Sequence, residues 1–339
     1  MNIQQALEQL LRKENLSADQ MSAVMQQVMS GEATAAQIGG FLIALRMKGE
    51  TVDEVAAAAG VMRNLADGVS LEDDRAIDIV GTGGDASSTF NISTCSAIVC
   101  AAAGARVAKH GNRAVSSKSG AADVLEAAGV NINLSPEQVG QCVKQLNVGF
   151  MFAPRHHGAM KHAIGPRREM GVRTVFNLLG PLTNPAGAKS QVLGVFDREW
   201  VNPLAQVMNK LGSEQVMVVH GHDGMDEISI SGPTQVAHLK NGNISDYRIE
   251  PAQLGLNTAP LSSIAVNDAS GSLALIQSVL DNEPGAARDI VLLNSGAGLV
   301  VADVVESIED GVEKARQVIA SGEAREKLAA LVNLSQSFA

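Results

Sequence analysis

The sequence predicts an α/β protein: a mainly parallel sheet wrapped by helices, with a smaller all-helical N-terminal lobe. In the first seventy residues, apolar side chains recur only at helical spacing. From Ala76 onward, short apolar runs alternate with helical segments, the pattern typical of a parallel sheet. We therefore expect a helical lobe over residues 1–70, joined by a returning segment at about 165–186. Residues 71–339 would form the α/β domain.

Four helices are predicted in the lobe. The first carries a periodic apolar stripe formed by Ile3, Ala6, Leu7, Leu10 and Leu11. The next three are announced by capping boxes, in which a hydroxyl and a later amide or carboxyl satisfy free backbone donors. These boxes are Ser17-x-x-Gln20, Thr34-x-x-Gln37 and Thr51-x-x-Glu54. Gly31 and Gly49 suit left-handed helix stops.

The sheet is expected to contain five buried strands followed by a hairpin. The strands are predicted at 77–80, 106–108, 148–152, 191–196 and 215–219. Asn241-Gly242 between 236–240 and 244–249 indicates a tight antiparallel turn. Helices are expected at 92–103, before Gly129, from Pro136, at 199–211 and through the tail after Asp268. Ligands of such sheets gather at the carboxyl ends of the strands.

Composition narrows the class of protein. Hydrophobic residues make up 45% and charged residues 18%, as in a well-buried globular chain. Aromatic residues reach only 3% and the net charge is −10, which disfavours nucleic-acid binding. No apolar run is long enough for a membrane span, and the three cysteines lack a CxxC spacing. A cytoplasmic protein is expected.

Basic residues are nevertheless concentrated in two stretches, 105–118 and 154–173. Together they hold nine of the 26 Lys and Arg residues in about a tenth of the chain. Both stretches are rich in Gly, Asn, Ser and His and are predicted to be loops. Solvated basic faces would explain them, but an anion site explains them better.

Two motifs follow predicted strands. Gly81-Thr82-Gly83-Gly84-Asp85 has glycines that allow a backbone to approach phosphate, and Asn91-Ile92-Ser93-Thr94 begins the next helix. Taken alone, glycine turns are common, and Ser93 and Thr94 could be simple caps. The second motif, KHGNRAVSSKSG at 109–120, has eight polar side chains in twelve residues, more than a structural loop needs.

In this order the motifs resemble those of anthranilate phosphoribosyltransferases. FNLLGPLTNPA at 176–186 and GMDEIS at 224–229 extend the likeness over essentially the whole chain. The resemblance implies a transferase of tryptophan biosynthesis, using 5-phosphoribosyl 1-diphosphate (PRPP), anthranilate and Mg²⁺, with two ions per subunit. It also implies a homodimer through the helical lobe, and leaves association with anthranilate synthase open.

The resemblance assigns residues by role. Lys109, Asp226 and Glu227 would be catalytic, and the metal ligands would be Ser93, Asp226 and Glu227. Anthranilate would be bound by Gly81, His110, Asn112, His157 and Arg167. PRPP would be bound by Gly81, Gly84, Asp85, Thr89, Asn91, Ile92, Ser93, Thr94, Lys109, His110, Gly111, Asn112, Arg113, Ala114, Val115, Ser116, Ser117 and Ala121.

Some of these assignments have alternatives. His110 and His157 could equally be structural histidines, and adjacent acids such as Asp226 and Glu227 often form only a solvated turn. Ala121 replaces a serine found in many relatives, and Gly158 replaces the usual proline. Two other functions compete: a pyrimidine nucleoside phosphorylase of the same fold, and a non-catalytic relative that binds nucleic acid.

Overall fold

The structure, a computed structural model, describes residues 1–71, 75–85, 87–114 and 118–338. The N-terminal helices are α1 (Ile3–Leu11), α2 (Ala18–Ser30), α3 (Ala35–Lys48) and α4 (Val52–Asn64). The strands are β1 (Ile77–Gly81), β2 (Val107–Gly111), β3 (Val148–Phe152), β4 (Ser190–Gly194), β5 (Gln215–Gly221), β6 (Thr234–Lys240) and β7 (Asn243–Ile249). The later helices are α5 (Ile92–Ala102), α6 (Ala121–Ala127), α7 (Pro136–Leu146), α8 (Ala153–His156), α9 (Lys161–Met170), α10 (Phe176–Leu179), α11 (Val201–Lys210), α12 (Ala269–Leu280), α13 (Ala286–Val301), α14 (Ile308–Ala320) and α15 (Glu323–Gln336). None of the helices within the described ranges is long and apolar enough to cross a membrane.

Within the described residues, the strands form one seven-stranded sheet in the order β3-β2-β1-β4-β5-β6-β7. The first five are parallel, whereas β6 and β7 are antiparallel. Asn241 and Gly242, between β6 and β7, have φ values of 51° and 81°, as a two-residue hairpin turn requires. The predicted fold class, a mainly parallel sheet with helices and an N-terminal helical lobe, is therefore confirmed.

The predicted end of β2 was wrong. The sequence placed Lys109 and His110 in a loop after residue 108, but both lie in the strand, paired with Phe150 and Met151 of β3. Successive strand residues point to opposite faces of a sheet. Backbone pairing with β3 and burial of both side chains outweigh the polarity that suggested a loop. Because the two side chains lie on opposite faces, Lys109 contacts the Ile79 carbonyl, whereas His110 contacts Asp78.

The second basic stretch is also not a loop. It forms α8, a short 3-10 turn (Gly158–Met160) and α9, which ends at Gly171 with a φ of 62°. Pro166 inside α9 costs a backbone hydrogen bond. Ala163 of α9 is fully buried in the cluster that contains α2 and α3 residues. Tertiary packing thus outweighs the loop preference of Gly165 and Pro166.

The predicted lobe caps are largely confirmed. Complete capping boxes occur at Ser17, Thr34 and Thr51, and Gly31 adopts the left-handed conformation. Gly49 does not, because its φ of 91° is combined with a ψ of 123°. Only one residue separates it from Thr51, which is already the extended N-cap of α4, so the chain must leave α3 in an extended direction.

Two hydrophobic clusters lie on the two faces of the sheet. Val192 of β4 belongs to one, with apolar residues of α5 and α13, and its neighbour Leu193 belongs to the other. The second cluster contains the apolar residues of α1–α4 together with Phe176 and Leu179. The N-terminal helices and the segment after α9 therefore share one core against one face of the sheet.

Candidate active site

Two loops meet at the carboxyl ends of β1 and β4: the glycine loop, residues 81–85, and the acid loop, residues 222–233. The Gly83 N–H donates to Oδ2 of Asp226 over 2.6 Å. A β-carbon added at Gly81 would lie 2.3 Å from Oδ2 of Asp226, and one at Gly194 would lie 1.5 Å from its carbonyl oxygen. The acid loop therefore packs directly against two strand ends, where only glycine leaves room.

The start of α5 joins the same cluster. The Glu227 carboxylate lies close to the backbone of Ser93. Lys109 donates to Oγ of Ser93 over 3.2 Å and also to the Ile79 carbonyl. Asn91, the N-cap of α5, makes no side-chain cap, and the Glu227 carboxylate lies near this helix N-terminus, where a negative charge is favoured. Lys109, with 3% of its surface exposed, is thus a buried cation that contacts the start of α5.

The charges of this cluster favour a divalent cation. Burial, and then the charge of Asp85, raise the pKa of Asp226 to about 7. Burial, and then the charge of Asp226, raise the pKa of Glu227 to about 8. Burial lowers the pKa of Lys109, against the opposing effect of Asp78, Glu227 and Asp226. The acids resist ionising together, which a bound cation would reverse.

The described ranges contain no group of three or more His, Cys, Asp or Glu residues placed to hold a metal by themselves. Magnesium typically uses one or two carboxylates and completes its shell with substrate phosphates and water. Asp226 and Glu227, with the hydroxyl of Ser93 beside them, fit that requirement.

The described residues on the two sides of the second motif are held together. Asp123 of α6 accepts the N–H groups of Ala114 and Gly120 over 2.8 and 3.0 Å. A β-carbon at Gly120 would lie 2.3 Å from the Ala114 nitrogen, and Gly111 faces Ala121 closely. Asn91 donates to the Ser119 carbonyl over 2.9 Å, which ties this loop to the start of α5. Val115, Ser116 and Ser117 lie outside the described residues.

Not every residue expected to bind PRPP is directed toward the cluster of Asp226 and Glu227. Arg113 is paired with Asp123 at 3.1 Å and Glu126 at 2.7 Å, and stacks over Phe152. Its guanidinium is therefore directed toward α6. The Asn112 side chain is exposed and accepts the Arg113 N–H over 2.8 Å.

The remaining donor candidates differ in burial. The Ile92 side chain lies in the core, and Oγ1 of Thr94 is bonded to Oδ1 of Asn91 over 3.2 Å. Thr89 is half-buried, its hydroxyl 3.2 Å from that of Ser87. The Gly84 carbonyl accepts a hydrogen bond from Arg173. Ile92 could therefore reach a ligand only through its backbone.

His110 is held at both ring nitrogens. Nδ1 contacts the fully buried Asp78, and Nε2 lies 3.0 Å from the Gly180 carbonyl. Asp78 also accepts from the His110 N–H at 3.3 Å and from Asn184 at 2.7 Å. This geometry favours the structural alternative for the ring nitrogens of His110.

Three of the residues expected to bind anthranilate, Arg167, His157 and His110, contact one segment, 176–184. Arg167 stacks over Phe176 with 5.0 Å to the ring centroid, and the His157 ring lies close to the backbone of Thr183. Burial, and then the charges of His110 and His156, lower the pKa of His157 to about 4, so its ring is neutral. Its Nε2 is buried and has no partner among the described residues. Together with His110 at Gly180, these residues form a second group of expected ligands around this segment.

Sequence reasoning missed several residues that hold the site together. Arg173 links the glycine loop to the helical lobe, because it donates to Gly84 while its own carbonyl accepts from Arg46 of α3. Asp78 was detectable as a charged residue inside an otherwise apolar strand. Arg173 gave no such local signal, since it resembles any exposed arginine.

Comparisons with known proteins identify the family of this chain. The helical bundle domain of a glycosyl transferase family matches residues 4–66, and the a/b domain of a glycosyl transferase family matches residues 73–325. Anthranilate phosphoribosyltransferase from Thioalkalivibrio sulfidiphilus is 62% identical over 99% of this chain and 100% of its own length.

Solved structures give the same result. That of anthranilate phosphoribosyltransferase from Thermus thermophilus is 42% identical, covers 98% of this chain and 99% of its own, and has a TM-score of 0.93. The Saccharomyces cerevisiae enzyme in complex with PRPP and Mg is 27% identical with a TM-score of 0.91, covering 99% of this chain and 98% of its own. The same yeast enzyme in complex with 4-fluoroanthranilate has a TM-score of 0.89 at 26% identity, with the same coverage. The chain belongs to the anthranilate phosphoribosyltransferases.

Proposed function

We propose that this chain transfers the 5-phosphoribosyl group from PRPP to the amine of anthranilate and releases diphosphate, a step of tryptophan biosynthesis. The observation that carries the proposal is the contact between the acid loop and the glycine loop, in which Asp226 accepts the Gly83 N–H over 2.6 Å. It brings acids for a metal beside backbone donors for a phosphate.

The donor would bind over the ends of β1 and β2. Glycines at the end of β1 allow close approach of a phosphate, and the start of α5 adds a helix N-terminus. The second motif, at 109–120, would hold the diphosphate. Arg113 would have to leave Asp123 and Glu126 to reach it, since both acids occupy its guanidinium.

Magnesium would be held by Asp226 and Glu227 with Ser93, and two ions per subunit remain part of the proposal. When bound, the metal supplies positive charge against the departing diphosphate. The buried Lys109 adds positive charge beneath the same acids and fixes the hydroxyl of Ser93.

Anthranilate, the acceptor substrate, would be bound by Arg167, His157, Asn112 and the backbone of Gly81. Arg167 is half-buried, and no carboxylate among the described residues pairs with it, so its planar fork of donors is available for the anthranilate carboxylate. The neutral ring of His157 could line the aromatic site without adding charge.

The reaction needs little acid–base chemistry. Loss of diphosphate leaves an oxocarbenium-like ribosyl centre, as in glycoside cleavage. The aromatic amine is neutral at pH 7 and needs no strong base before attack. The residues would mainly hold it in line behind the anomeric carbon and exclude water.

The decrease in anthranilate fluorescence in the presence of PRPP and Mg²⁺ tests the proposal. Asp226→Asn/Glu227→Gln should abolish the Mg²⁺ response, whereas the exposed Glu283→Gln should behave as wild type. Turnover of a pyrimidine nucleoside and phosphate that is undiminished without Mg²⁺ would instead indicate a phosphorylase.

We also propose a homodimer through the helical lobe. The exposed large hydrophobic residues of the described ranges all belong to the N-terminal helical segment or to α9 and the residue pair after it. They are Met1, Leu11, Met47, Leu65, Ile164 and Val172. Exposed apolar side chains concentrated in one part of a protein are typical of a subunit interface.

We further propose that the chain divides into a lobe of 1–70 with 165–186 and a domain of 71–339, and that the protein is cytoplasmic.

A further inference from the structure

We propose that Asn294 of α13 is a positioning residue for the acid pair Asp226 and Glu227, and so sets the affinity for Mg²⁺ without contacting metal or substrate. The inference rests on the proposed function, because it assumes that these two acids are the metal ligands.

The side chain of Asn294 is fully buried and fully hydrogen-bonded. Its Oδ1 accepts the N–H of Ile228 over 2.9 Å. Its Nδ2 donates to the carbonyl of Ile228 over 2.9 Å and to that of Ile290 over 2.9 Å. Both backbone groups of Ile228 are thus held by one amide, in the way a neighbouring strand would hold them.

The acid loop needs such a partner. Residues 222–233 form no helix or strand, yet Ile228 is fully buried. Buried backbone groups without partners are costly, so a loop at this depth must obtain its hydrogen bonds from side chains. Ile228 directly follows Glu227. Fixing both of its backbone groups therefore restricts the direction in which the Glu227 carboxylate can point.

Asn294 belongs to a helix that is rigidly packed against the other site elements. A β-carbon at Gly298 of α13 would lie 2.6 Å from Sγ of Cys100 in α5 and 2.9 Å from Cδ1 of Ile79 in β1. The same two elements carry Ser93 and Gly81. α13 therefore contacts elements that position both acids. Asp226 packs against the ends of β1 and β4, and Glu227 precedes Ile228, whose backbone is held by Asn294.

The residue type also points to a role beyond helix formation. Asn is a poor helix former, and its neighbours Leu292 and Leu293 are fully buried apolar residues. A polar residue placed against local preference in a core is most often explained by a specific contact that requires it. Here that contact is the backbone of the acid loop.

Asn294→Leu keeps a similar volume but removes all three hydrogen bonds, and Asn294→Ser is a milder second variant. Ser295→Ala is the matched control, since Ser295 is the adjacent buried residue and its hydroxyl has no partner among the described residues. Calorimetric titration of the metal-free protein with Mn²⁺ measures ion binding directly. The Mg²⁺ concentration for half-maximal activity and the KM for anthranilate are measured alongside, with thermal melting to confirm folding.

We expect both Asn294 variants to weaken Mn²⁺ binding and raise the Mg²⁺ requirement by about 10- to 100-fold, as loss of a residue that orients a metal ligand does. The KM for anthranilate and the Ser295→Ala variant should stay near wild type. A folded Asn294 variant with wild-type Mn²⁺ and Mg²⁺ dependence would overturn the inference. Failure of both variants to fold would also overturn it, by assigning Asn294 to core stability. Absence of Mg²⁺-dependent transfer in the wild type would instead refute the proposed function.

Discussion

Arg167 is the residue on which acceptor binding is expected to depend most. It is half-buried, it lies over Phe176, and no acid among the described residues pairs with it. Arg167→Ala should raise the KM for anthranilate by about 10- to 100-fold, since a charge-assisted hydrogen bond contributes roughly 1.5–3 kcal/mol. The KM for PRPP should change little. Steady-state kinetics with each substrate varied would check this.

Arg168→Ala is the matched control, because Arg168 is the exposed neighbour on the same helix. Equal weakening of both substrates in Arg167→Ala would contradict the assignment of Arg167 to the acceptor.

His157 should make the protein sensitive to acid. Its pKa is lowered from 6.5 to about 4 by burial and by nearby His110 and His156. The unfolded chain therefore takes up a proton at a higher pH than the native state does. The contribution of the neutral His157 ring to the free energy of unfolding is complete above about pH 6.5. It is lost as the pH falls toward 4, by roughly 3 kcal/mol in total.

Urea denaturation at a series of pH values would test this expectation. His157→Gln should flatten the loss of stability between pH 6.5 and 4, whereas His222→Gln, at an exposed position, should follow the wild-type slope. An unchanged slope in His157→Gln would show that other groups cause the acid sensitivity.

At the scale of secondary structure, the helical lobe depends on a buried ion pair at the start of α4. Glu54 accepts from Lys48 over 2.7 Å, from the Thr51 N–H over 2.8 Å and from the Leu16 N–H over 2.9 Å. It joins the end of α3, the cap of α4 and the link between α1 and α2. Glu54→Ala should cost about 3–5 kcal/mol of unfolding free energy, because it leaves the 3% exposed Lys48 side chain without its counter-ion.

The double variant Lys48→Met/Glu54→Leu should recover part of that loss, because it removes the unpaired Lys48 charge but leaves the Thr51 and Leu16 N–H groups without their acceptor. Arg325→Ala, which removes an exposed pair with Asp281, should cost less than about 1 kcal/mol in the same denaturation experiment. A small effect of Glu54→Ala would mean that water reaches the pair.

For the whole molecule, the exposed apolar side chains of the lobe predict its oligomeric state. Leu11 and Met47, at 75% and 80%, are the most exposed large hydrophobic residues of the described ranges, and a group of exposed apolar residues is typical of a surface that a partner covers. Leu11→Glu/Met47→Glu should convert a dimer into a monomer in sedimentation velocity experiments. Ala329→Glu, an added charge on an exposed position of α15, should leave the dimer intact. A wild-type monomer would contradict the proposed interface.

Local signals were enough to predict the fold class and the family. Capping boxes, strand periodicity and the hairpin turn each depend on a few neighbouring residues, so they can be read without knowing the tertiary structure. The glycine, polar and acid motifs carried the resemblance to the family, and the contact between Gly83 and Asp226 brings two of these motifs together.

Contacts between distant residues could not be predicted in this way. Lys109 and His110 became strand residues only because β3 pairs with them, and α9 is helical because Ala163 is buried against the lobe. Asn294 and Ile228 are 66 residues apart, and nothing near either one indicates their contact. Burial and hydrogen-bond satisfaction depend on what the rest of the chain places alongside, which is why these features emerged only from the folded structure.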